Sequence, residues 1–326
     1  MKATARAHPI QGLVKYHGMR DAELRLPYHD SISVCTAPSA TTTTAEFDPE
    51  LDVDVYRIGG EEETGRGAER IRGVVDEVRR RAGIDHRVRL ESENNFPSNI
   101  GLGSSSSGFA AAALACVEAA GLALTLPEVS AIARRGSSSA ARAVTGGFSD
   151  LYAGLNDEDC RSERLPVDDD VAEDLRIVIG KVPAYKETEQ AHAEAEDSHM
   201  FEARLAHIHD QLAEMKDALR AGDFDRAFET AEHDSLSLAA TTMTGPAGWV
   251  YWKPDTLEIF NAVRALREDN GTPAYFSTDT GATVYVNTRA EHVDEVEQAV
   301  ADCGVETSVW EVGGPAHVLD ESESLF

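Results

Sequence analysis

One stretch constrains this chain more than any other: Glu93-Asn94-Asn95-Phe96-Pro97-Ser98-Asn99-Ile100-Gly101-Leu102-Gly103-Ser104-Ser105-Ser106-Ser107-Gly108-Phe109. Val88, Leu90 and Ser92 before it alternate as a strand does. The Ala-rich run after it, Phe109 to Ala120, patterns as a helix closed by Gly121. Strand, glycine-serine turn and helix together aim several backbone N–H groups at one point. A helix N-terminus adds partial positive charge there, so an anion is the natural occupant. Gly101 and Gly103 let the backbone approach a ligand, and the serines supply hydroxyl donors. No G-x-x-x-x-G-K-[ST] is present, so this is not the common P-loop. A flexible Gly/Ser linker would not be flanked on both sides by patterned apolar elements. The motif therefore predicts phosphate binding and leaves the nucleotide open.

Length and charge narrow the class. A chain of 326 residues has room for two domains, or one large one, with a proper core. No apolar run approaches the roughly 18 residues a membrane span needs. Met1 to Arg6 lacks the apolar centre of a signal peptide, so a cytoplasmic location is expected. Cys35, Cys116, Cys160 and Cys303 are scattered without C-x-x-C spacing and read as reduced thiols, with no protein metal ligand assigned. The formal net charge is -28, and lysine is confined to Lys2, Lys15, Lys181, Lys186, Lys216 and Lys253. An acidic, lysine-poor surface predicts a protein suited to a salt-rich cytoplasm. It also argues against nucleic acid, whose phosphates need a basic face. An anionic small substrate must instead be met by a few local cations, which makes each placed lysine or arginine informative.

Along the chain, Leu51, Val53 and Val55 alternate ahead of a turn at Ile58-Gly59-Gly60, a strand and hairpin pattern. Thr41–Thr44 reads as strand or loop. Ala68 to Ala82 patterns as a helix ended by Gly83, and Thr125 as the N-cap of another carrying Val129 and Ile132. That helix runs into a second serine cluster, Ser137-Ser138-Ser139, followed by Arg142. A turn rich in N–H and hydroxyl donors is a second anion seat. The acidic interval Asp157 to Asp170 marks a boundary between domains 1–172 and 173–326. Beyond it come a buried strand at Leu175 to Val182 and an amphipathic helix through Leu205, Ile208, Leu212, Met215 and Leu219. A shorter helix is expected around Phe224 to Ala231, another through Leu257 to Leu266, and a strand at Thr283 to Val286. Thr288 is read as the cap of a last helix. Strands and helices alternate imperfectly, which favours α+β over a doubly wound parallel sheet.

These motifs together resemble the GHMP kinase superfamily, and within it the mevalonate diphosphate decarboxylase branch. Asn94-Asn95-Phe96-Pro97, Gly101-Leu102 and Ser104-Ser105 are similar to its ATP loop. Lys15-Tyr16, Gly18 and Arg20-Asp21 match its N-terminal K-Y-x-G-x-R-D. Gly136-Ser137, Ser139-Ala140, Arg142 and Gly146-Gly147 match its substrate loop, and Asp234-Ser235, Ser237, Ala274-Tyr275, Asp279, Gly281 and Val312 to Pro315 its C-terminal motifs, in order. The resemblance implies a fold of two α/β domains with the active site in the cleft between them, commonly a homodimer, using ATP and Mg²⁺ on a phosphorylated mevalonate. It implies Asp279, Lys15 and Arg142 as catalytic residues. Asp279 would face the 3-hydroxyl, Lys15 would offset charge, and Arg142 would grip the carboxylate. Tyr16, Met19, Arg70, Ser137, Ser138 and Ser139 would bind substrate. Asn94, Gly101, Gly103, Ser104, Ser105 and Ser106 would bind ATP.

Departures from the family pattern bear on the substrate tail. Met19 stands where the branch carries a second lysine that contacts the diphosphate. An ammonium–phosphate hydrogen bond is worth ~1.5–3 kcal/mol, and a thioether supplies none of it. Ser138 replaces the glycine of S-G-S, Asp279-Thr280-Gly281-Ala282-Thr283 replaces D-A-G-P-N, and Lys186-Glu187-Thr188 covers another substrate contact. The expected reaction is ATP-dependent decarboxylation of 5-phosphomevalonate. The same reaction on the diphosphate, a 3-kinase without CO₂ release and a non-catalytic binding homologue are the alternatives. The retained Asp279 speaks against the last two.

Overall fold

Alternating small and β-branched residues build two large sheets beside the small β-hairpin of residues 19–27, and apolar stripes on the intervening segments cover the large sheets with helices. The computed structural model describes residues 1–97, 102–184 and 192–326. Its strands in the first half are β1 (Lys2–Ala7), β2 (Ile10–Val14), β3 (Met19–Asp21), β4 (Leu26–Pro27), β5 (Ser31–Ala37), β6 (Thr41–Asp48), β7 (Val55–Ile58), β8 (Glu61–Glu62), β9 (Arg87–Asn94), β10 (Phe148–Leu151) and β11 (Ser162–Arg164). Then follow β12 (Leu175–Lys181), β13 (Ala274–Ser277), β14 (Val284–Arg289), β15 (Glu306–Val312) and β16 (His317–Leu319). The helices are α1 (Gly65–Ala82), α2 (Ser104–Ala119), α3 (Leu126–Gly136), α4 (Ser138–Thr145), α5 (Asp169–Asp174), α6 (Phe201–Ala221), α7 (Phe224–Met243), α8 (Pro254–Ala265) and α9 (Val293–Ala301). The expected α+β class holds.

The first sheet runs β16-β1-β6-β9-β7-β8, antiparallel except for the parallel β7–β9 pair. Against it packs α2, whose alanines Ala110 to Ala113 and Ala115 are buried. Side chains this small let the helix backbone lie close to β1 and β6, which brings its N-terminus down to the end of the sheet. Val74, Val78, Val129 and Ile132 of α1 and α3 complete that core.

The second sheet runs β11-β10-β5-β15-β12-β14-β13, with β2 on the other edge of β5. In β12 the two-residue period is plain. Ile177 and Ile179 join the core under α6 and α7, while Val178 joins the one under α8 and α9. The division expected between residues 172 and 173 falls within α5, and this sheet takes strands from both sides of it.

Several local expectations shift. Leu51 and Val53 lie outside β7, and Val53 is exposed, so the strand is shorter than its alternation suggested. The Ala-rich helix starts five residues early, at Ser104. Ser137 to Ser139 form no free turn: Ser137 is the N-cap of α4. The helix after Phe224 does not stop near Ala231 but runs to Met243, because its polar residues Asp234 and Ser235 are buried against partners far away in sequence. Thr288 caps nothing; it lies in β14 and donates to the Pro273 carbonyl. All four cysteines are free thiols, as expected.

Gly146 fixes how the chain near its end returns to this frame. Its φ of 68° and ψ of 175° belong to a region open essentially to glycine. A Cβ there would lie 2.2 Å from the Pro315 nitrogen. Gly146→Ala is therefore expected to cost roughly 2–5 kcal/mol from strain plus overpacking, read as a lowered Tm. An unchanged Tm would show that residues 313–316 yield to it.

Candidate active site

Two helix N-termini face one cleft of about 490 Å³. At the start of α2, Gly103 adopts φ 73° and no side chain caps the helix. Ser106 spends its hydroxyl locally, donating to the Gly103 carbonyl at 2.6 Å and accepting from Ile10 N–H at 3.1 Å. The hydroxyls of Ser104 and Ser105 have no hydrogen-bond partner among the described residues and line the cleft. At the start of α4, Ser137 likewise makes no side-chain cap, and its hydroxyl sits 2.9 Å from that of Ser139. Among the described residues no side chain caps either end, and N–H groups of this kind suit an anion.

Lys15, just past β2, is buried, and its surroundings keep its ammonium placed. Asp234 on α7 accepts from the Lys15 backbone N–H at 2.9 Å and from Nζ at 3.5 Å. Nζ also donates to Ser235 Oγ at 3.1 Å. Arg204 on α6 closes the group, donating to Asp234 Oδ1 at 2.9 Å and to the Lys15 carbonyl at 2.6 Å. Burial lowers the Lys15 pKa, and the charges of Asp234 and Asp279 oppose that shift. Burial alone would raise the Asp234 carboxyl, but Arg204 and Lys15 hold it below the usual carboxylate range.

Asp279 lies on the β13–β14 connection, and its Oδ1 accepts from Gly12 N–H at 3.2 Å. The connection is tied down by Thr278 N–H donating to Ser235 Oγ at 3.2 Å, the same oxygen that receives Lys15. Arg142 on α4 is buried with its guanidinium 5.4 Å from the Tyr16 ring centre. Burial lowers its pKa, opposed by Tyr16, Asp279 and Asp150. Its Nε and Nη1 have no hydrogen-bond partner among the described residues. Such donors are costly to bury unless a ligand satisfies them, and an anion in the cleft would.

The cleft thus gathers Lys15, Arg142 and Asp279 with Tyr16, Met19, Arg70, Gly103, Ser104 to Ser106 and Ser137 to Ser139. Arg70 reaches it although it lies within α1: its Nε donates to the Gly136 carbonyl at 2.8 Å and its guanidinium lies 4.7 Å from the Phe109 ring centre. Asn94 does not line the cleft; its side-chain oxygen accepts from the Thr41 hydroxyl at 2.5 Å. Gly101 and the Lys186-Glu187-Thr188 segment lie outside the described residues. Among the described residues no cluster of three or more His, Cys, Asp or Glu could hold a metal by itself.

Residues 7–162 match the diphosphomevalonate decarboxylase-like N-terminal domain. The phosphomevalonate decarboxylase of Haloferax volcanii is 75% identical over all of both chains. The chain belongs to the diphosphomevalonate decarboxylase-like family. The diphosphomevalonate decarboxylase of Bos taurus is 30% identical over 88% of this chain and 77% of its own. Among solved structures, the mevalonate diphosphate decarboxylase of Staphylococcus aureus superposes with a TM-score of 0.93 at 29% identity, covering 98% of each chain. MDDEF in complex with MVAPP, the ATP analogue AMPPCP and magnesium superposes at 0.92 with 28% identity, covering 98% of this chain and 99% of that one. The fold is thus the GHMP-kinase fold, as the motifs implied.

Sequence reading of this decarboxylase-family chain missed three residues near the site. Arg25 lines the cleft from the turn before β4. His192 stacks on Tyr16 with ring centres 5.0 Å apart. Arg204 carried no local signal, since a lone arginine on an amphipathic helix reads as a solvent-facing residue. Asp234 and Ser235 were visible as a motif but without a role. Gly12 sets the spacing of Lys15 and Asp279: a Cβ there would lie 2.8 Å from Lys15 Cγ and 2.9 Å from Asp279 Oδ1. Gly12→Ala should leave the protein folded and lower kcat about 100-fold by displacing both groups. Wild-type turnover in a variant with unchanged Tm would show that their spacing is uncritical.

Proposed function

We propose that this chain catalyses the ATP-dependent decarboxylation of (R)-5-phosphomevalonate to isopentenyl phosphate, ADP, phosphate and CO₂. The observation that carries this reading is the meeting of Asp279 with the buried Lys15 and Arg142 in one cleft beside two uncapped helix N-termini. The name of the Haloferax volcanii relative supports the singly phosphorylated substrate. So does Met19, whose sulfur lies 3.8 Å from the Ser138 hydroxyl in place of an ammonium.

A 3-hydroxy acid does not readily expel hydroxide, so the hydroxyl is first made into a phosphate ester. Asp279 orients the 3-hydroxyl and receives its proton as the oxygen attacks the γ-phosphorus of ATP. Lys15 offsets the charge that collects on the transferring phosphoryl group. The phosphate then leaves carbon 3 with the C–O electron pair. The bond from carbon 2 to the carboxylate breaks and its electrons become the new double bond, releasing CO₂. Arg142 holds the carboxylate in line until that step. Ser104, Ser105 and the first N–H groups of α2 hold the nucleotide phosphates, and magnesium, when bound with the nucleotide, would screen their charge. Tyr16, Arg70 and Ser137 to Ser139 hold the 5-phosphate. A homodimer in a salt-rich cytoplasm is the setting that the family resemblance and the acidic surface favour.

Purified enzyme in high salt, given ATP with mevalonate, its 5-phosphate or its 5-diphosphate, should release CO₂ fastest from the monophosphate. Faster release from the diphosphate would move the substrate to that form, and phosphate transfer without CO₂ would make the protein a kinase. Asp279→Asn should cut CO₂ release at least 1000-fold while ATP binding, followed by calorimetry, stays near wild type. Unchanged turnover would remove Asp279 from the reaction.

A further inference from the structure

The cleft wall beside the start of α4 carries a residue with an unusual backbone. Among the described residues, Arg25 is the one non-glycine residue with positive φ, at 55°. An arginine held there is strained by roughly 1 kcal/mol or more, so something must require it. It stands in the turn of the β3–β4 hairpin, whose first strand begins with Met19, and both residues line the cleft.

Its anchoring explains what the strain achieves. Arg25 Nε donates to the Arg135 carbonyl at 3.1 Å, and Arg70 Nε donates to the next carbonyl, Gly136, at 2.8 Å. Two guanidiniums are thereby hung from consecutive carbonyls at the end of α3, immediately before the serines that open α4. The Ser138 hydroxyl donates to the Arg25 carbonyl at 2.8 Å, tying the hairpin turn to the same serine cluster. Like charges facing one cleft in this way repel each other. Burial lowers the Arg70 pKa to about 10, and Arg25 adds to that shift. A dianionic phosphate between them reverses the sign of that interaction. Met19, on the same wall, offers a thioether that cannot donate.

We infer that Arg25 reads the 5-phosphate of the substrate, pairing with Arg70 across the N-terminus of α4 and supplying the cationic donor that Met19 lacks. The assignment rests on the reading of a 5-phosphorylated substrate. It makes Arg25 a specificity residue, remote from the atoms that react at carbon 3.

Calorimetric titration with 5-phosphomevalonate and with mevalonate, both without ATP, tests this separately from catalysis. Arg25→Gln should weaken 5-phosphomevalonate binding 10- to 100-fold and leave mevalonate binding unchanged. Arg25→Lys should fall between the two, and Met19→Lys added to Arg25→Gln should restore part of the loss. Equal weakening of both ligands would reduce Arg25 to a support for the hairpin and overturn the inference. No weakening of either, or wild-type protein that binds the two alike, would also overturn it. Wild-type protein that prefers the phosphorylated ligand yet releases no CO₂ would sink the decarboxylase reading and leave Arg25 as the phosphate reader.

Discussion

A buried ammonium must be compensated or it loses its proton, and the arrangement of this protein's cleft follows from how Lys15 is compensated. Stripping water from such a charge costs several kcal/mol even after the protein relaxes. Asp234 provides the opposing charge, but a carboxylate with no exposure carries the same liability. Arg204 resolves it by engaging Asp234 and the Lys15 backbone together. The three groups come from a segment beside β2, from α6 and from α7, so the ion cluster is also a packing constraint on those elements. Ser235 then extends the order to the β13–β14 connection and hence to Asp279.

The surface and the cleft have opposite electrical characters. The chain carries a net charge of -28. Among the described lining residues, however, the cleft shows four cations, Lys15, Arg25, Arg70 and Arg142, against the single carboxylate of Asp279. Two helix N-termini add to the positive side. An acidic exterior repels phosphorylated metabolites in general, so attraction is confined to the range of the cleft itself, about 10 Å or less in salt. Placement of a few cations therefore matters more here than overall composition does.

How much of this was legible in sequence depends on whether a signal was local. The glycine-serine loop and the helix it opens were readable because both halves of the pattern lie within about one helix length. The meeting of Lys15, Arg142 and Asp279 in one cleft, the basis of the proposed reaction, was readable only through the family resemblance, since nothing in their spacing says that they meet. Ser137 to Ser139 misled because a turn and a helix N-terminus use the same residue types. The helix α7 was cut short because Asp234 and Ser235 look like a solvated break until Lys15 is brought to them. Arg25 and Arg204 were invisible for the complementary reason. Their partners are carbonyls and a carboxylate distant in the chain, and an arginine carries no mark of whether it will face water or the interior.

The strand β5 is shared in an unusual way. Along one edge it pairs with β10 through residues 31–34 and with β15 at Thr36 and Ala37, and along the other it pairs with β2. The core that includes Ile32 and Val34 also contains Ile177 and Phe224. A hinge that swung the two halves of the molecule apart would have to tear backbone ladders and split a dry interior. Ligand entry and product escape must therefore proceed through rearrangements near the rim, with the floor that carries Lys15 staying fixed throughout the turnover cycle.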